Sequence, residues 1–436
     1  MEPGVVAAAY AIETAIEGTI GAAIAIAKPT LPLRAKFQKL ATSIPLRRSS
    51  HSLSFVRGKA YIFGGEIQPR QPVDNDMHIF TMPVLGPSEA DYECVKAQAE
   101  MEKEEAPAPR IGHTAAVISD RIYIFGGRGG KEMKPLEEQG RVWEFNTSSR
   151  KWKCLEPVQG SLYPAARSYH SSTSTEHPLA VSVPAGPTES SAYGTVFVHA
   201  GCPASGRETD VWAFDVAART WTPFPNAPEP ARGGPCFLFA QNRLYRYGGF
   251  DGKVELGGQI DYLDIAVSTI DDQSGKGELM VYPRTGKWET ISFPQNASAP
   301  GNRSVAGMQP ISTGQGRNYL LLFMGERDPS SVGHEGAGKF WDDVWAYQLQ
   351  SEGKTAASIK DATRQLFGSD TGESSWAQVE IAKSTMSDGL QPRPSERGWF
   401  ASTQYQDLDS CSVLLWGGVN TKNEREGDGW ILQVES

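Results

Sequence analysis

Between Gly325 and Gly338 the chain reads Gly-Glu326-Arg327-Asp328-Pro-Ser-Ser-Val-Gly333-His334-Glu335-Gly-Ala-Gly338. Two carboxylates and an imidazole within nine residues of a glycine-bounded loop can form a facial two-oxygen, one-nitrogen set. Such a set holds Fe(II) or another divalent ion and leaves positions open for substrate. Glu326, Asp328 and His334 are therefore the candidate metal ligands and the candidate catalytic residues. The competing reading is an ordinary polar loop, since exposed loops are commonly rich in these residue types. A second set recurs along the chain: Arg48, Arg110, Arg167, Arg232, Arg303 and Arg397, each opening a short strand-like run. Guanidinium forks grip sulfate, phosphate or carboxylate at two points, so six around one entrance would form an anion funnel. The alternative is that each is neutralised by a neighbouring acid or carbonyl and braces adjacent elements.

The elements that must position these residues are read from the stretch Arg110 to Trp152. It contains Arg-Ile-Gly-His113, Arg-Ile-Tyr-Ile-Phe-Gly-Gly127, Val-Trp-Glu-Phe-Asn146 and Lys-Trp-Lys-Cys-Leu155, four short runs with strand composition and a glycine turn after the second. The pattern recurs. A glycine or glycine pair closes an apolar run at Gly64-Gly65, Gly126-Gly127, Ala200-Gly201, Gly248-Gly249, Met324-Gly325 and Gly417-Gly418. In three copies the arginine precedes the first of these positions by 16 residues. An aromatic opens each outer strand: Tyr92, Trp152, Trp221, Trp288, Trp376 and, for the last unit, Phe37. A four-stranded sheet repeated six times predicts a propeller in which the first strand of each blade lines the axis. The final run, Gly-Trp430 to Glu435, reads as a third strand without a fourth. Phe37-Gln-Lys-Leu40 supplies it, because a closed ring leaves no unpaired edge.

The expected organisation is a leader over 1–36 and one propeller over 37–436, with blades at about 47–97, 109–157, 166–225, 231–294, 302–381 and 396–436, the last taking strand 37–41. Blade three carries a Pro/Ser/Ala-rich insertion, 174–192, and blade four an excursion to about Gly277 before Leu279-Met-Val-Tyr282. Blade five carries a polar insertion from Gln350 to Glu373. A net charge of −9 argues against nonspecific nucleic-acid binding, which needs a basic face. Five dispersed cysteines without a Cys-x-x-Cys pair fit a reducing compartment, and cytoplasmic location is the expectation. Residues 5–27 are Ala/Ile-rich and predict a helix, with Glu13 and Glu17 on one face. Those two carboxylates each cost about 2.5–3.5 kcal/mol in a bilayer, so no transmembrane segment is expected. The Met-Glu-Pro start lacks the basic region of a signal peptide. Two fates stand for the helix: packing on the propeller, or contact with a partner or membrane surface.

The repeat resembles the kelch repeat, whose period is about 50 residues. Several segments carry a closer resemblance: Arg-Ser-Ser-His51, Phe-Gly-Gly-Glu66, Phe-Gly-Gly-Arg128, Arg-Ser-Tyr-His170, Ala-Arg-Gly-Gly234, Asn-Arg-Ser-Val305, the loop from Glu326 to Gly338, and Arg-Gly-Trp399. Together these resemble the plant nitrile-specifier and thiocyanate-forming proteins, over all six blades. The resemblance implies Fe(II)-assisted, non-redox lyase or isomerase chemistry on the unstable aglycones of glucosinolates. It implies an iron site of Glu, Asp and His in the loop after the blade-five glycines. Glu326 and His334 match its outer positions; the middle position, 330, is Ser, with Asp328 two residues earlier. Arg128 matches the arginine linked in that family to the substrate's sulfate. The expectation is thus an all-β, six-bladed kelch propeller closed by an N-terminal strand and preceded by an Ala-rich helix. It would bind a small anionic molecule through Arg48, Arg110, Arg128, Arg167, Arg232, Arg303, Arg397, Glu66 and Trp399. The alternative is a non-catalytic module whose same face docks an acidic peptide or partner. A copper radical oxidase is set aside, because the seven histidines do not assemble its ligand set by spacing.

Overall fold

The computed structural model describes residues 30–83, 88–179, 193–270, 278–294, 296–333, 336–353, 355–382, 393–405 and 411–435. The helix expected in the leader, most of the blade-three insertion, and His334 with Glu335 lie outside the described residues. Six blade sheets follow one another along the chain, four of them four-stranded and two five-stranded, antiparallel except where Arg34–Lys39 pairs with Glu380–Ile381. In blade two the strands are Thr114–Ile118, Arg121–Phe125, Val142–Asn146 and Lys151–Leu155, hydrogen-bonded in that order. Blade six draws Ala401–Tyr405, Ser412–Trp416 and Gly429–Val434 from the end of the described chain and Arg34–Lys39 from its start. Phe37 pairs with Leu432 across that junction.

Second strands such as Arg121-Ile-Tyr-Ile-Phe125 are apolar on both faces because each sheet is sandwiched between two others. The core is accordingly a set of wedges between neighbouring blades. One holds Tyr61, Phe63 and Ile79 of blade one against Ile124, Trp143 and Trp152 of blade two. Another holds Leu414 and Trp416 of blade six against Ile62 and Phe80 of blade one.

Two circuits of backbone hydrogen bonds tie the blades together. In the first, the second residue of each glycine turn donates to the carbonyl of the next blade's arginine, from Gly65 to Arg110 at 2.9 Å round to Gly418 and Arg48 at 2.8 Å. A side chain on the preceding residue would often collide there: a Cβ at Gly248 would sit 2.3 Å from the Arg303 carbonyl oxygen. The second circuit runs through the residue two after each arginine, namely Ser50, Gly112, Tyr169, Gly234, Val305 and Trp399. All six are left-handed, with φ between 46° and 60°. Each donates its N–H to the carbonyl of the preceding member, and Ser50 donates to Trp399, at 2.7–3.2 Å throughout. For Tyr169, Val305 and Trp399 this backbone is strained, of order 1–3 kcal/mol each, and held by the surrounding circuit.

Two insertions differ from expectation. In blade four the third strand is Gln259–Ile270, and Glu278–Pro283 forms a hairpin with its outer half, so Leu279–Tyr282 is an extension of the blade. The blade-five insertion contains a helix, Ala356–Leu366, opened by a reciprocal cap between Thr355 and Ser358. Its buried face is polar: Asp361 takes both arms of the buried Arg317, at 2.6 and 2.8 Å. Ile359, Leu366 and Phe367 are exposed, which hides the helix from a reading that looks for an apolar buried stripe. No described helix is long and apolar enough to cross a membrane.

His51, His113, His170 and His199 are buried in the wedges. Burial, then the charge of a nearby arginine, holds all four well below the usual imidazole range, His51 and His170 at about 3. The unfolded chain binds protons at these sites below pH ~6.5, so stability present above that value is lost as pH falls toward 3. The four imidazoles outnumber two buried acids of opposite sense described below. The thermal midpoint is expected to fall steadily between pH 7 and pH 4; a flat profile would contradict neutral buried rings.

Candidate functional site

Five of the six blade-opening arginines are spokes inside the blades, and the expected ring of guanidinium groups at the mouth is corrected accordingly. Each of the five is at most 2% exposed and is taken up by an internal acid: Arg48 by Asp74, Arg110 by Glu138, Arg167 by Asp210, Arg303 by Asp343 and Arg397 by Asp428, at 2.5–2.8 Å. A second bond from each goes to the carbonyl at its own glycine turn, as from Arg110 to Gly126 at 2.9 Å. The bracing reading holds for these five because an unpaired guanidinium is costly to bury. Arg232 makes the same bonds to Gly248 and Pro230, with no carboxylate partner among the described residues. Glu66 is also internal, accepting from Arg425 at 3.0 Å and from the Arg70 backbone N–H at 2.6 Å.

The loops after the glycine turns join second to third strands and so converge on one face. There a cavity of about 390 Å³ opens. Tyr169, Val305 and Trp399 of the axial circuit contribute to its wall, with Phe250, Cys202 and Ser304. Its cations are Arg207 and Lys253. The Arg207 guanidinium lies 5.1 Å from the Phe250 ring centre. Its buried Nε has no hydrogen-bond partner, and no carboxylate pairs with it among the described residues. Trp399 lines the cavity and also a neighbouring gap of about 10 Å³ beside Glu66 and Arg425, enough for about one water. Arg128 stands next to this cavity, donating to the Ser168 hydroxyl at 2.8 Å and lying 5.4 Å from the Tyr169 ring.

Glu326 reaches the cavity from blade five. It is 4% exposed, and its Oε1 is buried without a partner. Burial, then the nearby Glu255 and Asp328, pushes its carboxyl up to about 8. Glu255 is equally buried. Burial raises it to about 8 as well, partly offset by the Ser304 hydroxyl, with Asp251 and Asp328 adding to the rise. The two form a pair of neutral acids at pH 7. Gly338 makes room for this: a Cβ there would stand 2.0 Å from Glu326 Oε1.

Asp328 does not join Glu326 in the cavity. It is exposed and faces Lys339 and Arg327, at 3.4 and 3.8 Å, because the strand is irregular between Glu326 and Asp328, and the register shift there breaks the alternation that would put both on one face. Ser330 lines the cavity instead, and His334 lies outside the described residues. Of the three candidate ligands, the described residues bring only Glu326 to the cavity, where a facial set needs three donors. Glu326 and Asp328 alone do not make up such a set, and no step is derived through Fe(II). Arg207, Lys253 and Phe250 escape the sequence reading, which marks the blade-four excursion as a long loop but names no site residue in it, and draws none from the loop after Gly201 in blade three.

Fold and cavity together define a six-bladed β-propeller with a cation-bearing, aromatic-walled site on the loop face. The chain belongs to the kelch-repeat family: residues 50–274 match the KLHDC2/KLHL20/DRC7 Kelch-repeats domain. It is 26% identical over 412 residues to the N-(sulfonatooxy)prop-2-enimidothioate sulfolyase of Thlaspi arvense, covering 92% of this chain and 97% of that protein. An F-box/kelch-repeat protein of Arabidopsis thaliana is 27% identical over 218 residues, 48% of this chain and 40% of that one. Among solved structures, that of YjhT superposes with a TM-score of 0.55 at 13% identity, over 93% of this chain and 99% of the other. That likeness concerns the fold alone.

Proposed function

We propose that the protein binds a small organic anion with a sulfate-like head group in the Arg207 cavity and acts on it as a non-redox lyase. The observation that carries this reading is Arg207: a partly buried guanidinium at the cavity, with an unpartnered Nε. Its fork suits a tetrahedral or planar anion, and Lys253 adds charge. Phe250 and Trp399 offer faces to an organic side chain. Glu326 supports the reading as a neutral acid, because a protonated carboxyl donates a hydrogen bond to an anion where an ionised one would repel it. The sulfolyase relative suggests the reaction class: release of sulfate, whose developing charge Arg207 would hold. Cys94, Cys154, Cys202, Cys236 and Cys411 form no disulfide, which suits a reducing, cytoplasmic setting.

Calorimetry with phenyl sulfate tests the binding, and product analysis with an O-sulfonated thioimidate tests turnover. Losing one charge-assisted contact costs about 1.5–3 kcal/mol, so Arg207→Met is expected to weaken binding roughly 10- to 150-fold. Equal affinity in parent and variant rejects the site. A chelated sample beside one supplied with Fe(II) tests what the family resemblance implies about iron. The second reading, capture of an acidic peptide, draws on the same guanidinium and predicts binding without turnover.

A further inference from the structure

Blade four breaks the bracing rule at one place. In blades three, five and six the acid that takes the spoke arginine stands immediately before the third strand, as Asp210, Asp343 and Asp428. The register places Gln259 at that position in blade four, since Ile260 pairs with Tyr247 as Val211 pairs with His199. Two residues beyond the acid those blades carry a tryptophan that donates to it, Trp212, Trp345 or Trp430, each at 2.8 Å. Blade four has Asp261 there, and Asp261 is taken by the fully buried Arg246 at 2.6 Å. Gln259 donates its amide to the same Asp261, at 2.9 Å.

Among the described residues, the interior of blade four beside the spoke therefore sets two guanidinium groups, Arg232 and Arg246, against the one carboxylate of Asp261. Nη1 of Arg246 is buried without a partner, and among the described residues Arg232 bonds only to the carbonyls of Pro230 and Gly248, through Nε and Nη1. Burial, then the charge of Arg246, lowers Arg232 to about 9, against the opposing pull of Asp261. Five copies of the same fork show what it is shaped to hold: a carboxylate in two-point contact, at 2.5–3.5 Å.

We infer that the Arg232 fork is a binding site for a small carboxylate-type anion, which completes the sixth spoke from solution. The site is separate from the Arg207 cavity and independent of the activity proposed for it. Because the anion binds the folded chain, it raises stability by mass action.

Thermal unfolding of the full chain in sodium formate, against sodium chloride at equal ionic strength, is the test. Formate is expected to give a saturating rise in Tm of about 1–3 °C beyond that in chloride. In Gln259→Asp and Gln259→Glu, which place a carboxylate on the chain at this register, the formate-specific rise is expected to disappear. At least one of the two is expected to unfold at a higher temperature than the parent in chloride. Equal Tm in the two salts for the parent would overturn the inference. So would a formate effect that persists undiminished in both variants.

Discussion

Arg303→Met is expected to destabilise the propeller by about 3–5 kcal/mol, the cost of breaking a buried ion pair by removing one partner. Arg303 is fully buried, and its loss strands three acceptors: Asp343, and the carbonyls of Met324 and Gly301, now bonded at 2.7, 3.0 and 3.0 Å. The indole of Trp345 still donates to Asp343, but one neutral donor does not offset a buried carboxylate. Removing both charges, as Arg303→Met with Asp343→Leu, should recover part of the loss, because no lone charge remains. The exposed pair Arg34–Glu380, with side chains 71% and 57% exposed, sets the contrast: Arg34→Met should cost no more than about 1 kcal/mol. Denaturant midpoints of the three proteins decide the matter. Similar losses at the two sites would mean that the spokes do not brace the blades.

The second large effect is on ligand affinity as a function of pH. Glu326 is raised to about 8 by burial and then by Glu255 and Asp328, so it is neutral at pH 6–7 and ionised above 8. A carboxylate about 5 Å from a bound anion, at an effective dielectric of about 20, repels it by roughly 3 kcal/mol, on the order of a hundredfold in Kd. Phenyl sulfate should therefore bind well at pH 6–7 and lose affinity as pH rises through 8. Glu326→Gln should bind at both ends of that range with little change. Stability carries the same signature. The folded carboxyl binds its proton more tightly than the unfolded one, so its contribution is intact below pH ~4.5 and lost as pH climbs to about 8. The Gln variant should then be the more stable protein at pH 8. An affinity identical at pH 6 and 9 in the parent would remove Glu326 from the site.

The blades are legible because their signals repeat. One Gly-Gly is weak evidence, but six turns with an arginine upstream and an aromatic downstream leave little freedom. The missing strand after Gly429–Val434 can be supplied from Phe37 because a sheet edge demands a partner. The spokes are harder to read. An arginine on an acidic chain gives no sign of whether its carboxylate is internal, and two of the five acids, Asp74 and Glu138, come from loops rather than from the strand register. Glu326 is legible from its loop, but Asp328 groups with it only by spacing, and the register shift between the two residues, which no local motif announces, sends the side chains apart. Arg207 lies six residues past Gly201, in a loop with no recurring motif, and only the convergence of loops on one face brings it to Phe250.

The circuit through Ser50, Gly112, Tyr169, Gly234, Val305 and Trp399 returns to its starting point, and this separates the molecule from linear repeat arrays. A solenoid has end units that can fray while the middle persists. Here every unit has a neighbour on both sides, and opening any one of them severs the circuit twice. Melting is therefore expected to lack the gradual, end-inward erosion of a stacked array, and no blade can be deleted to leave a shorter but otherwise intact protein.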